Sequence, residues 1–381
     1  MIVNFFDSEN IASLYPLTLT RPAADLRVGI FTIAEKWKLH LSATEIGFIT
    51  SEHLSKKFTS AENASFRVNG HLLPNENIVK AITNLKPGEA LYHNNLLLAV
   101  NGQESNKIEF EDSISLIQRP FDIFKLNHQE ILSDFDVITK NRTSATLSSS
   151  NKHFGKYPIF LEDGAVAECA TFNTNDGPIY LGKNTEVMEG SIVRGPLAMC
   201  EGSKLKLGTK VYGATTLGPY CNVGGEVNNI VMHGYSNKGH DGFLGNAVLG
   251  EWCNIGADTN CSNLKNTYDE VKVWNYATNR FERSGQQFCG LIMGDHSKCG
   301  INTMFNTGTV IGVACNLFGA GFPRQFVPDF SWGGASGFVP HQMPAVEKTA
   351  KLVMVRRNKE FNEIEQSILH WVYENYTPTN S

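Results

Sequence analysis

The sequence predicts an α/β domain of the doubly wound kind, followed by a parallel β-helix of hexapeptide repeats and a terminal α-helix. Three observations predict it. Strand-like and helix-like segments alternate over residues 1–138. An aliphatic residue or Met then recurs at every sixth position from Leu181 to Val223. Near the end, apolar residues from Val346 to Val372 keep helical spacing. The boundaries drawn are 1–150, 151–340 and 341–381.

The chain has 381 residues, 41% hydrophobic and 19% charged, enough to build cores without staples. A net charge of −5 argues against a nucleic-acid binder, which usually carries a basic domain. No apolar run approaches the roughly 20 residues that cross a bilayer; Leu96-Leu97-Leu98-Ala99-Val100 is typical. The start, Met1 to Phe6, has no basic region of a secretory signal, so a cytoplasmic enzyme is expected. Eight cysteines lie at or beyond Cys169, and none forms a Cys-x-x-Cys pair. Zinc spacing is therefore absent, and the thiols are expected to fill core positions.

In the first domain, Ile2–Phe6 reads as a buried strand. Ile30, Ile33, Ala34, Trp37 and Leu41 have helical spacing. A strand at 45–50, a helix at 75–85 and one strand at 90–100 follow. The polar stretch 139–150 reads as a linker.

The repeat is the strongest signal. Leu181, Val187, Val193, Met199, Leu205, Val211, Leu217 and Val223 are eight consecutive hits. Chance gives that on the order of once in a thousand. The pattern restarts at Phe243, Leu249, Ile255 and Cys261, and again from Met293 to Leu317. Period six fits neither helix nor simple strand alternation. It fits triangular coils of three short strands, each coil burying its inner face against its neighbours. The breaks at 224–242 and 265–287 are expected to be loops, and loops on a rigid scaffold carry function.

His240 lies in the first break between Gly239 and Asp241-Gly242, with Lys238 two residues away. Asn254 and Asn263 follow in the next hexads. An imidazole titrating near neutrality suits a general base. Asparagines and a Lys suit a sugar phosphate. The run Ser236 to Ala247, then Cys253-Asn254-Ile255-Gly256-Ala257 and Asn263, resembles the acetyltransferase domain of bifunctional UDP-N-acetylglucosamine pyrophosphorylase / glucosamine-1-phosphate N-acetyltransferases. The resemblance implies a left-handed β-helix, acetyl-CoA as co-substrate and a homotrimer with sites between chains. It implies His240 as the base, Asn263 orienting the amine, and Asn254 and Glu226 holding the sugar. Ala257 and Ala320 match backbone positions along the acetyl-CoA groove. Arg324, just after the last coil, is a candidate for a CoA phosphate. The sequence departs from the family at Phe243, Asn228 and Leu264, and in its longer 265–287 insertion. Another amino sugar, or acylation of a hydroxyl, therefore stays open.

Leu14-Tyr15-Pro16-Leu17-Thr18-Leu19-Thr20-Arg21-Pro22 resembles the start of sugar-1-phosphate nucleotidyltransferases, a Rossmann-like fold. Arg21-Pro22 and Arg27-Val28-Gly29 look closest to the variant pyrophosphorylase-like proteins of Bacteroidetes-type bacteria. The phosphate-cradling Gly-rich loop is replaced by Asp7-Ser8-Glu9-Asn10-Ile11, and no Gly precedes Gly29. His71 stands where the family has a magnesium-binding Asp, and His is a poor ligand for that ion. Arg21 and Arg27 are candidates for phosphate contact, or for ion pairs with Asp25.

Together these readings predict a bifunctional enzyme of nucleotide-sugar synthesis. It would acetylate an amino-sugar 1-phosphate and then transfer a uridylyl group to it with Mg²⁺. The alternatives are an acyltransferase with a non-catalytic first domain, or a non-enzymatic assembly protein. The basic C-terminal helix is expected to cap the open end of the coil stack.

Overall fold

The computed structural model describes residues 1–377. The chain opens with β1 (Ile2–Phe6), α1 (Ile33–His40), β2 (Glu45–Ile49), α2 (Glu52–Ser55), β3 (Phe66–Asn69) and β4 (Leu72–Leu73). Then come α3 (Glu76–Thr83), β5 (Glu89–His93), β6 (Leu96–Asn101), β7 (Asn106–Glu109), β8 (Ser115–Leu116) and α4 (Pro120–Thr139). Six strands form one sheet in the order β2-β1-β3-β6-β5-β7. β1 runs parallel to β2 and β3, whereas β6 is antiparallel to both β3 and β5, so the sheet is mixed. Local signals fix the helices. A Thr32/Glu35 capping box starts α1, and Asn75 caps α3.

The single strand expected at 90–100 is a hairpin, β5–β6. Asn94 and Asn95 turn it with φ of 50° and 67°, the left-handed pair that a tight two-residue hairpin turn requires. The helix α4 was not expected. Its buried face mixes Phe121, Phe124, Ile131 and Phe135 with Asn127 and Asp134, which blurs the apolar stripe.

The solenoid begins upstream of the six-residue phase, with strands Lys152–Phe154 and Ile159–Leu161. Its three faces are parallel ladders, one running from Val166–Ala167 to Ser331–Gly334. Leu181, Val187, Val193, Met199, Leu205, Val211, Leu217 and Val223 are all fully buried. Each contributes about 1.5–3 kcal/mol of burial. Seven of the eight cysteines are buried; Cys169 is exposed.

The first expected break is not an insertion. The strand Glu226–Gly234 turns a corner between two faces, and Val227, Met232 and Lys238 take the inward positions of one coil. The coil is shorter than its neighbours and places a Lys inside, so the hexad phase is lost on paper but not in space. In the next coil Leu244, not Phe243, points inward. The second break is a true insertion. Its strands Lys272–Asn275 and Arg280–Arg283 form an antiparallel hairpin. Val271, Val273 and Tyr276 join the core of the first domain, and Arg119 Nη1 meets Glu282 Oε2 at 2.8 Å.

The two halves share buried surface. Val231, Val248, Ile292 and Val310 of the solenoid pack into the α/β core. Asn127 of α4 donates to the Ala214 carbonyl at 3.0 Å, and Thr216 Oγ1 donates to the Gly29 carbonyl at 2.9 Å. The tail is two helices, α5 (Met343–Val355) and α6 (Glu363–Tyr376), rather than one. An antiparallel hairpin, Ser331–Gly334 with Gly337–Pro340, finishes the last coil. Both helices therefore flank the stack instead of covering its end. α6 stacks Trp371 on His53 of the first domain at 3.6 Å. α5 runs back along the coils until Arg357 Nη2 donates to Asn237 Oδ1 at 3.3 Å.

Candidate functional site

His240 sits at the corner between the strands Asn237–Lys238 and Phe243–Glu251. Two glycines let this corner form. Gly225 has φ +71°, and a Cβ there would lie 2.7 Å from the Cα of Asp241. Gly242 has φ +109°, and its Cβ would come within 2.1 Å of the Thr259 carbonyl oxygen. Lys238 is the third brace. Its ammonium is buried and donates to the carbonyls of Gly224 and His240, each at 2.9 Å. Burial is the main cause that lowers its pKa to about 8, opposed by Asp241 and Asp258. Lys238 thus positions the His240 backbone from within the coil. The expectation that it contacts substrate is corrected for that reason.

The His240 side chain is exposed and makes no hydrogen bond among the described residues. Two grooves meet at it. One, of about 500 Å³, is lined by Lys206, Leu207, Gly225, Asp241, Ala257 and Asp258. The other, of about 950 Å³, runs under α5. Its walls carry Asn222, Asn237 and Asn254 on the solenoid, Tyr235 and Trp252, and Arg356 and Arg357 at the end of α5. The asparagines stack in register coil upon coil, and Asn222 Nδ2 donates to Asn237 Oδ1 at 2.7 Å. Lys204, on the same wall, is paired with Glu186 at 2.6 Å. Among the described residues, no carboxylate lines this second groove.

His240, Asn254 and Ala257 are therefore brought together. Ala257 lies one coil on, where its carbonyl accepts from Asn302 N at 2.8 Å. Ala320 is exposed on the same corner column, after the strand Asn316–Leu317. Three coil steps of ~4.8 Å place it ~14 Å from His240 along the axis. Arg324 is exposed nearby, with no side-chain partner among the described residues.

Other expected residues lie elsewhere. Glu226 opens onto a separate groove of about 550 Å³ with Arg194, Lys210 and Tyr212. Its carboxylate accepts from Tyr212 OH at 2.5 Å. Burial, then that bond, pushes the Tyr212 hydroxyl up to about 12. Asn263 donates to Asn246 Oδ1 at 2.8 Å and does not line the His240 grooves. Residues that sequence reasoning missed are Arg356, Arg357, Asn222 and Asn237. The two arginines read as the polar face of a capping helix, and only the direction of α5 along the stack brings them to His240.

Arg21 and Arg27 are not open to a phosphate. Arg21 is buried, bonded to Asp295 and within 3.5 Å of Asp25 and Glu251. Arg27 Nη1 donates to the Ile30 carbonyl at 2.5 Å and touches Cys200 Sγ at 3.7 Å. Both belong to the seam between the two halves, so the phosphate-contact expectation is corrected in favour of the ion-pair alternative.

The first domain has its own pocket, of about 320 Å³, above the C-terminal ends of β1 and β3. Ser8, Asn10, Ser13, Asn69, His71, Gln118, Arg119 and Asn275 line it. These residues do not fit magnesium, which wants carboxylate and water oxygens in octahedral array. The two acids beside it are already used: Asp7 Oδ1 accepts from Ala23 N at 2.8 Å and Oδ2 from Thr50 at 2.5 Å, and Glu282 accepts from Arg119 and Asn275, each at 2.8 Å. No group of three or more His, Cys, Asp or Glu placed to hold a metal ion exists among the described residues. No described helix is long and apolar enough to cross a membrane.

A family model described as sugar nucleotidyl transferase matches residues 3–143, the α/β domain. Among solved structures, the chain is similar to the polySia-specific acetyltransferase NeuO. That match has 11% identity and TM-score 0.24, over 51% of this chain and 87% of that one. It is also similar to LpxA, a UDP-N-acetylglucosamine acyltransferase from Bacteroides fragilis 9343. Here identity is 9% and TM-score 0.27, over 61% of this chain and 98% of that one. No curated protein matches the sequence.

Proposed function

We infer that the chain transfers an acyl group from acyl-CoA to an amine or hydroxyl of a sugar phosphate, with acetyl-CoA the expected donor. One observation carries this reading. An exposed, unbonded imidazole stands where an acid-free cationic groove meets a second groove along the coil edge. His240 takes the acceptor's proton as the acceptor attacks the thioester carbon. The C–S bond breaks, and the CoA thiolate leaves and is protonated. Arg356 and Arg357 supply charge for the acceptor's phosphate, and Asn254 supplies hydrogen bonds to its ring. The donor extends along the column from Ala257 to Ala320, toward Arg324. Leu207 and Ile301 project from this edge 68% and 69% exposed, which supports a homotrimer with the edge between chains. Light scattering at three times the chain mass is the expected result.

Nucleotidyl transfer by the first domain is a second reading, favoured by the family match to residues 3–143. The lining of its pocket counts against a magnesium-assisted reaction. One preparation tests both. CoA release from acetyl-CoA with glucosamine-1-phosphate reads the first activity. Pyrophosphate release with UTP, Mg²⁺ and N-acetylglucosamine-1-phosphate reads the second. CoA without pyrophosphate is expected. If no CoA is released with any amino-sugar or sugar phosphate tried, the acyl-transfer reading fails.

A further inference from the structure

The pocket of the first domain holds a pair of groups that acyl transfer at His240 does not use. Ser8 follows β1 and His71 follows β3, and these strands are neighbours in the sheet. β1 connects onward to β2 on one side, and the chain then returns to place β3 on the other. The pair therefore straddles the switch point where open α/β sheets bind their ligands.

Its hydrogen bonds are directional. His71 Nδ1 lies 2.8 Å from the Ile117 carbonyl, so that nitrogen carries the proton. Nε2 is then a lone-pair acceptor, 3.1 Å from Ser8 Oγ. The His71 backbone N–H donates to Asn69 Oδ1 at 3.0 Å, and Asn69 Nδ2 donates to the Leu97 carbonyl at 3.0 Å. Hydroxyl, base and orienting groups stand in the sequence required of an activated nucleophile. Burial holds His71 below its ordinary pKa, so it is neutral at pH 7 and its Nε2 lone pair is free to accept. A serine that merely satisfied a buried histidine would be sealed over. This one is half-buried and opens on the pocket.

The lining selects the substrate class. The side chains of Asn10, Ser13 and Gln118 face the pocket without a hydrogen bond of their own, which suits a neutral polyhydroxyl compound. Arg119 is the one cation there; it is paired with Glu282, while its buried Nε has no partner. With no metal ligands and one neutralised cation, the pocket is poorly equipped for phosphoryl chemistry.

We propose that Ser8 and His71 form a second, metal-independent site that cleaves a small carboxylic ester of a polyhydroxylated compound such as an O-acyl sugar. Ser8 Oγ attacks the ester carbonyl carbon while its proton passes to His71 Nε2. The bond from that carbon to the alcohol oxygen breaks, and the alcohol leaves with the proton from His71. Water, deprotonated by the same Nε2, then hydrolyses acyl-Ser8 to free carboxylate and restores the serine.

The test treats the full chain with a biotinylated alkyl fluorophosphonate and locates the adduct by mass spectrometry, with p-nitrophenyl acetate as the turnover probe. The expected result is one adduct on Ser8. Ser8→Ala should keep the parent melting temperature yet lose the label and at least 100-fold of the hydrolysis. His71→Asn should slow labelling by about 10²–10⁴-fold. An unlabelled parent, an adduct on another residue, or equal hydrolysis by Ser8→Ala overturns the proposal. CoA release at His240 is read separately, so either site can fail alone.

Discussion

The chain carries two pairs of arginines with opposite fates. Arg21 and Arg27 lie in the seam between the halves, buried among Asp25, Glu35, Glu251 and Asp295. Arg356, exposed, and Arg357, half-buried, lie at the end of α5 on the wall of the His240 groove. A similar contrast separates two histidines seven residues apart. His233 is buried in the seam, where Nε2 accepts from Arg27 N at 3.3 Å and Nδ1 donates to the Leu249 carbonyl at 3.2 Å. His240 has no such partners and faces solvent. The difference teaches that a charge surrounded by its own counter-charges holds the protein together. A charge left open in a groove is available to a ligand.

The largest effect expected is at the open end of this contrast. His240→Ala should lower CoA release by about 10²–10⁴-fold, with no change in melting temperature. A comparable fall in both would move His240 to the structural side. Next comes Arg21→Ala, which strands Asp295 and its neighbours. Urea unfolding should show a loss of about 3–5 kcal/mol. An unchanged midpoint with a lost activity would reverse the assignment of Arg21. Arg356→Ala and Arg357→Ala should each weaken binding of the phosphorylated acceptor by about tenfold or more, equivalent to roughly 1.5–3 kcal/mol per charged hydrogen bond. Stability should be kept, and KM should rise more than kcat falls. If both variants leave KM untouched, the groove under α5 is not the acceptor site.

The smallest effect sharpens the histidine comparison through pH. Burial is the main cause that lowers the pKa of His233 from 6.5 to about 3, with Arg21 adding to it. Below pH 6.5 the unfolded chain gains a proton that the folded chain refuses, so stability falls as pH drops from about 6.5 toward 3. Between pH 7.5 and 5 the loss from this group is roughly 1–2 kcal/mol. His233→Gln should flatten that part of the curve measured by urea unfolding, and an unchanged slope would overturn the assignment.

Much of the solenoid is legible in the residues. Period six named the inward positions from Leu181 to Val223 because each coil buries one apolar side chain per face, and every one of those is buried. The pattern failed at Lys238 because a buried ammonium with two carbonyl partners serves in place of an aliphatic residue. It failed at Phe243 because the neighbouring Leu244 took the inward place. In the first domain, α4 was hidden because its buried face needs Asn127 for the seam and Asp134 for α1 and the loop before it. Asp134 accepts from Ile30 N and from Lys36 Nζ, at 2.7 and 2.5 Å. The break at 265–287 was visible, but not that its hairpin would reach across to Arg119.

The sequence by itself determined the repeat, the strand and helix alternation that precedes it, and His240 beside small residues at a coil corner. These are local matters, settled by side-chain periodicity and by which residues tolerate a tight turn. Only the tertiary structure decided which charges are open. Arg21 and Arg357 look alike in a string of letters. One is enclosed when the α/β domain docks on the solenoid, and the other is carried to His240 by the path of α5. Burial is a property of distant segments meeting, and it decides whether a charge spends its field on the protein or offers it to a ligand.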